Sequence, residues 1–76
     1  MVIMKHRDII KEYGNNIKRI RKFSNITLEE LSEKSNINIE YLKKIENGTV
    51  DNKVALYNHI IADALNIAPN DLCKFE

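Results

Sequence analysis

The basic side chains are the residues best suited to chemistry here, and they are unevenly distributed along the chain. The 76-residue sequence has 12 basic and 11 acidic residues, so its formal net charge is only +1. Residues 1–23, however, carry seven basic and two acidic side chains, a net charge of +5, which leaves −4 for the remainder. Such an asymmetry favours a surface that attracts a polyanion. A solvated charged helix has the same composition, so charge alone does not decide between the two.

Other reactive residue types lack the neighbours that catalysis or metal binding requires. His6 and His59 have no second ligand at metal-binding spacing, and Cys73 is the only cysteine. The carboxylates of residues 29–33 indicate a solvated helix surface rather than an acid–base pair. Because no nucleophile–base pair and no glycine-rich phosphate loop is visible, we expect no enzyme, no metal and no cofactor.

Length and composition predict one small domain over residues 1–76, with residues 1–8 as an N-terminal arm. A chain of this size has an expected stability of about 5 kcal/mol. The lone cysteine fits a reducing compartment. The start, "MVIMKHRD", lacks the apolar stretch of a signal peptide, and no run approaches the roughly 18 apolar residues of a membrane span. We therefore expect a cytoplasmic protein without a membrane partner.

The spacing of apolar residues predicts a mostly helical chain. A buried stripe at intervals of three and four marks the first helix: Ile10, Tyr13, Ile17 and Ile20. This helix should begin between residues 8 and 12 and end near Phe23. A fourth helix is expected from residue 53 or 54 to 65, and a short fifth helix around residues 70–74. Tyr41 and Tyr57 are interpreted as packing residues.

Capping signals predict two short helices joined by a tight turn in between. Thr27 and the glutamate three residues later have the pattern of a capping box at the start of the second helix. Asn36 suits a left-handed turn, Asn38 caps the third helix, and Gly48 ends it. Ile37 supplies an apolar residue to fill the corner. This arrangement has the geometry of a helix-turn-helix.

The segment "NNIKRIRKFSNITLEELSEKSNINIEYLKKIENG" resembles the lambda-repressor/Cro-type helix-turn-helix, also called the xenobiotic-response-element family. Its most specific features are "IKRIR", the Thr-x-x-Glu-Leu start of the second helix, and "IENG". The ending "ADALNIAPNDL" extends the resemblance over residues 13–72. It implies an all-α, compact five-helix lambda-repressor-like domain whose third helix enters the DNA major groove.

The resemblance also implies which residues meet double-stranded DNA. It puts Thr27 and Leu28 beside a phosphate at the start of the second helix. The recognition helix and the following loop would contribute Asn38, Ile39, Glu40, Lys43, Lys44, Asn47, Thr49 and Lys53. Arg21 and Glu46 match a pair that forms a structural ion pair in the family, and we interpret them in that way.

The sequence departs from the family pattern at several of these positions. Leu28 stands where glutamine is common, and Ile39 where polar residues are common. Leucine cannot donate to a phosphate or a base edge, and the Glu40 carboxylate is repelled by phosphates and accepts chiefly from cytosine. Ile39 could contact a thymine methyl group, whereas Lys43 and Lys44 offer phosphate charge or a guanine contact.

These features predict a small transcriptional regulator that binds DNA sequence-specifically as a homodimer on a pseudo-palindromic operator, for example as a repressor. The DNA-binding antitoxin of a toxin–antitoxin pair would use the same fold. A protein-interaction module with weak DNA affinity and a protein partner is the alternative from another class. Glu40, Leu28 and the near-neutral charge favour that alternative, and the basic first helix opposes it.

The homodimer expectation comes from the apolar arc of the predicted fourth helix, which covers about half its circumference. Part of this arc fills the domain's own core. The apolar residues left over are expected to form the dimer interface: Leu56, Ile60, Leu72 and Phe75. In the alternative, the first helix and the N-terminal arm cover Leu56 and Ile60 and the protein is a monomer.

Overall fold

The computed structural model describes residues 6–50 and 52–73, with side chains placed for residues 9–50 and 54–72. Within these residues all regular secondary structure is helical, without a β-strand. The α-helices are α1 (His6–Phe23), α2 (Leu28–Ser35), α3 (Ile39–Asn47) and α4 (Asn58–Ala64). Two 3-10 helices, Asn52–Tyr57 and Pro69–Cys73, flank α4. The expected all-α class is confirmed.

The described residues contain four α-helices and not the expected five, because the first half of the expected fourth helix and the expected fifth helix are 3-10 helices. Asn58, the first residue of α4, lies where the 3-10 helix changes to the α-helix, and its side chain makes two hydrogen bonds. Its Oδ1 accepts a hydrogen bond from the Tyr13 hydroxyl at 2.5 Å, and its Nδ2 donates to the Pro69 carbonyl at 3.3 Å. In the 3-10 helix before it, Val54 and Tyr57 share one side because residues three apart eclipse. Val54 is buried, and the Tyr57 ring packs on that of Tyr41 with centroids 5.2 Å apart.

The expected fifth α-helix is also a short 3-10 helix. Asn16 Nδ2 donates to the carbonyls of Asp71 and Leu72 at 3.1 and 2.8 Å, so this segment is fixed to α1. Those carbonyls therefore accept from a side chain of another helix. Residues 74–76 lie outside the described residues.

Helix α1 ends at Phe23 as expected, but it begins at His6, before the expected range. Residues 6–8 therefore belong to α1 and not to an arm, and residues 1–5 lie outside the described residues. Gly14 lowers helix propensity, yet α1 continues through it because Ile10, Tyr13 and Ile17 are buried on both sides of it.

The core lies between α1, α2, α3 and α4 and contains six large, fully buried side chains: Ile17, Leu31, Leu42, Ile45, Ile61 and Leu72. The expected core residues Val54 and Leu65 are also buried, whereas Ile20 is only partly buried. The apolar stripe predicted for α1 is thus confirmed except at its last position.

Gly14 marks the place where α1 crosses α3. A Cβ built at this position would lie 2.0 Å from the Ile45 carbonyl oxygen and 3.1 Å from that of Glu46. A glycine is therefore required because the backbones approach too closely for any side chain. This close approach fixes the distance of α3 from the long first helix.

Candidate nucleic-acid interface

The turn between α2 and α3 is held by the local hydrogen bonds expected from the sequence. Thr27 Oγ1 accepts from the Glu30 amide and the Glu30 carboxylate accepts from the Thr27 amide, both at 3.1 Å. Asn36 ends α2 in the left-handed region at φ 59°. Ile37 is buried with 5% of its surface exposed, and Ser32 Oγ donates to its carbonyl at 2.5 Å. The helix-turn-helix geometry is therefore fixed by side chains within the motif itself.

Helix α3 has a buried side and an outward face with different chemistry. Leu42, Ile45 and Glu46 are buried. We define the outward face by its exposed residues: Glu40, Lys43, Lys44 and Asn47. At about 100° per residue, these four positions lie within roughly 100° of one another on the helix circumference. The outward face is thus a compact, polar surface with the width of one helix.

The first turn of α3 is capped and carries an ion pair. Asn38 Oδ1 accepts from the Glu40 amide at 2.8 Å, as the sequence predicted for an N-cap. Lys43 Nζ lies 3.4 Å from Glu40 Oε1, with side chains 50% and 72% exposed respectively. Lys44 is exposed and has no carboxylate within salt-bridge distance in the part of the chain that the structure describes. Lys44 is therefore the lysine of this face whose positive charge is not offset by a carboxylate of the described residues.

Behind α3, Arg21 and Glu46 form a buried, two-point ion pair. Arg21 Nε donates to Glu46 Oε2 at 2.7 Å and Arg21 Nη2 donates to Glu46 Oε1 at 3.1 Å. The remaining Nη1 donates to the Ile26 carbonyl at 2.8 Å. The residues are only 8% and 6% exposed, so neither charge is free to meet a ligand. The arginine thus joins α1, the segment before α2, and α3 at a single point.

The other residues that the resemblance assigns to DNA contact differ in their solvent exposure. Thr27 is exposed, whereas Leu28 is half-buried against the core. Ile39 is half-buried at the start of α3. Thr49 is exposed and is held near α3, since its amide and Oγ1 donate to the Lys44 carbonyl at 3.0 and 3.2 Å. The side chain of Lys53 lies outside the described residues.

Basic side chains of α1 form a second positive region. Lys18, Arg19 and Lys22 are exposed, and the Arg19 guanidinium donates to the Asn16 Oδ1. Asn16 itself is 2% exposed. This asparagine connects a surface cation of α1 to the last 3-10 helix, a role that its local sequence does not reveal.

Of the four residues expected at a dimer interface, two are on the surface. Leu56 is 77% exposed and Ile60 is 44% exposed. Leu72 is fully buried, so its assignment to an interface is wrong; the last 3-10 helix turns this side chain into the monomer's own core. Phe75 lies outside the described residues. Phe23, which is 90% exposed at the end of α1, is an apolar surface residue that the sequence reasoning missed.

Two kinds of feature are absent from the described residues. No group of three or more histidine, cysteine, aspartate or glutamate side chains among them could hold a metal ion. No helix in residues 6–50 and 52–73 has both the length and the apolar character needed to cross a membrane.

Comparison with known proteins agrees with this geometry. The chain belongs to the helix-turn-helix family of the Cro/C1 type, whose model matches residues 17–54, the segment from mid-α1 to the first 3-10 helix. This is a family of DNA-binding transcription regulators. No curated protein sequence matches the chain significantly.

Two solved structures have a similar fold. The restriction-modification controller protein C.AhdI from Aeromonas hydrophila superimposes with a TM-score of 0.77 at 24% identity, covering 88% of this chain and 98% of that chain. The clp gene regulator ClgR from C. glutamicum also gives a TM-score of 0.77, at 23% identity, covering 84% of this chain and 82% of that chain. At these identities the likeness shows the shared fold.

Proposed function

We propose that this protein binds double-stranded DNA sequence-specifically and regulates transcription by inserting α3 into the major groove. The observation that carries the proposal is the division of α3 into a rigidly held inner side and an exposed polar face. The Arg21–Glu46 pair and the contact at Gly14 hold the inner side. A helix that reads bases must present its side chains in a fixed orientation, which such a scaffold supplies.

The exposed residues support distinct roles in this interface. Lys44, Thr49 and Asn47 are suited to phosphate contacts, which give affinity and orientation. Glu40 lies near the middle of the outward face, where base edges would lie, and the Lys43 ammonium pairs with its carboxylate. Thr27 starts α2, where a helix N-terminus favours a phosphate. Leu28, the first residue of α2, contributes packing, because it is partly buried against the core.

Selection from a randomised duplex library, followed by fluorescence anisotropy on the recovered fragment, tests this function. We expect Lys44→Ala to weaken binding and Lys43→Ala to weaken it somewhat less. Lys34→Ala removes another exposed lysine, on α2, and is the matched control. Affinity should fall steeply with salt, with a slope of about −0.9 per phosphate contacted. The assignment of α3 to the groove is wrong if both α3 variants bind like the wild type.

We also propose that the protein acts as a homodimer on a pseudo-palindromic operator. Leu56 and Ile60 support this, since they are large, exposed apolar side chains four residues apart, and an exposed apolar patch marks an interaction site. Two α3 helices about 34 Å apart would read successive half-sites.

Sedimentation equilibrium at micromolar concentration measures the oligomeric state directly. We expect a dimer mass for the wild-type chain and a monomer mass for Ile60→Asp. Phe23→Asp makes the same change at another exposed apolar residue and should leave the dimer intact. A wild-type monomer mass at these concentrations would refute the dimer.

A protein-interaction module of the same fold, or the DNA-binding antitoxin of a toxin–antitoxin pair, is the second candidate. The offset charge of Glu40 and Lys43 and the half-buried Leu28 favour weak DNA affinity. The library selection separates the interaction module from the DNA-binding functions: a module that had lost DNA affinity would enrich no sequence even at low salt, whereas an antitoxin would enrich one.

A further inference from the structure

The adjacent residues Lys43 and Lys44 differ in their charge environment, although both are exposed on the outward face of α3. The Lys43 ammonium lies 3.4 Å from the Glu40 carboxylate. Within the described residues, Lys44 has no such partner. A ligand would therefore meet a neutral ion pair at Lys43 and a single positive charge at Lys44.

Their positions on the helix add a geometric difference. Glu40 lies near the middle of the outward face, and the two lysines lie on opposite sides of it, about 60° and 40° away. The ion pair draws the Lys43 ammonium back over the middle of the face, toward Glu40. Lys44 remains at the edge. In a groove, the middle of a docked helix faces base edges and its edges face the phosphates of the two strands.

We propose that Glu40 and Lys43 read bases together as one neutral unit, while Lys44 contacts a phosphate. This assignment rests on the proposed DNA-binding function and specifies which bases it recognises. A carboxylate accepts from cytosine N4, and a lysine donates to guanine O6 and N7. The ligand is therefore duplex DNA with a C·G pair, or adjacent cytosine and guanine, opposite the first turns of α3.

The pairing also explains how a carboxylate can enter a groove lined by phosphates. An isolated Glu40 would be repelled, whereas the pair with Lys43 has no net charge and so meets no net repulsion. The same neutrality means that the pair releases few counterions from DNA. Lys43 should thus contribute to base discrimination, and Lys44 to sequence-independent, salt-sensitive affinity.

Fluorescence anisotropy of Lys44→Met and of the Glu40→Gln, Lys43→Met double variant on the selected duplex, over a series of salt concentrations, separates the two roles. Methionine keeps the apolar stem of lysine and removes its charge. We expect Lys44→Met to reduce the slope of log K against log salt by about 0.9, the value for one phosphate, with base preference unchanged. Lys43→Met combined with Glu40→Gln removes both charges of the pair, so the slope should stay nearly unchanged while discrimination at one C·G position falls by roughly fivefold or more.

Glu40→Gln provides the complementary variant. Glutamine pairs with adenine rather than cytosine, so the preference at one position should move from cytosine toward adenine. Glu33→Gln removes a carboxylate from the exposed surface of α2 and should leave base preference as in the wild type.

The outcomes distinguish this inference from the proposed function. An equal loss of salt slope in Lys44→Met and in the Glu40→Gln, Lys43→Met double variant would make Lys43 a phosphate contact and overturn the base-reading unit while DNA binding stands. An unchanged preference in Glu40→Gln would overturn it as well. If the wild-type chain retains no duplex at low salt, both the function and this inference are wrong.

Discussion

Removing one partner of the Arg21–Glu46 pair should destabilise the domain far more than breaking an exposed ion pair would. Both side chains are buried and three of the arginine's nitrogens donate to protein oxygens. Glu46→Ala would leave the guanidinium buried without its carboxylate. Breaking a buried pair in this way costs about 3–5 kcal/mol. A domain of this length has roughly 4–11 kcal/mol in total, so the variant should be close to unfolding.

Urea denaturation followed by far-UV circular dichroism measures the effect. With an m value of about 1 kcal/mol per molar urea, a loss of 3 kcal/mol lowers the midpoint by roughly 3 M. If the variant is unfolded without urea, the same series in sulfate restores a measurable transition, because sulfate favours the compact state. Glu40→Ala is the matched control: it breaks the exposed Glu40–Lys43 pair and should cost less than about 1 kcal/mol.

A double-mutant cycle tests the interpretation rather than only the loss of stability. Arg21→Met with Glu46→Leu removes both charges, so it should be markedly more stable than the sum of the two single changes predicts. The lost bond to the Ile26 carbonyl should keep it somewhat below wild type. A coupling energy below about 0.5 kcal/mol would show that the pair does not brace α3.

Two further substitutions test the placement of α1. Gly14→Ala should destabilise the domain by about 1–3 kcal/mol through overpacking, because its Cβ would meet the Ile45 carbonyl oxygen at 2.0 Å. Thermal unfolding measures the loss, with Asn15→Ala as the exposed control. Equal melting temperatures for the two variants would refute the close crossing of α1 and α3. Asn16→Ala should lower the stability by about 1–3 kcal/mol, since it removes the donor to two carbonyls of the last 3-10 helix. Amide hydrogen exchange should become faster in that 3-10 helix. Unchanged protection of its amides would contradict the role of Asn16.

The parts of the fold that could be predicted from the sequence are those fixed by neighbouring residues. The bonds of the Thr27 capping box span three residues, and the Asn38 cap bonds to an amide two residues away. Asn36 and Gly48 end their helices in the left-handed region, at φ 59° and 73°. Because each of these interactions is local, residue type and spacing suffice to locate α2, α3 and the turn between them.

The predictions for the later helices and for Leu72 fail where contacts with residues distant in sequence determine the backbone conformation. Asn58, where the 3-10 helix changes to α4, is bonded to Tyr13, 45 positions away. The last 3-10 helix is fixed by Asn16, 55 and 56 positions from its acceptors, and the same packing buries Leu72. A helical wheel treats each segment alone and contains no information of this kind. The Arg21–Glu46 assignment, for its part, came from the family resemblance, since nothing in the local sequence joins residues 25 positions apart.

The arrangement of α3 separates the residues that hold this helix from those proposed to use it. Its inner side is fixed at Gly14 by backbone contact, at Glu46 by charge, and at Leu42 and Ile45 by apolar burial. None of these contacts involves the outward face. Substitutions at Lys43 or Lys44 can therefore alter binding with little effect on folding, because they break no buried contact. Changes at the inner side must affect both properties, since a helix that shifts by an ångström no longer presents its side chains correctly to the bases.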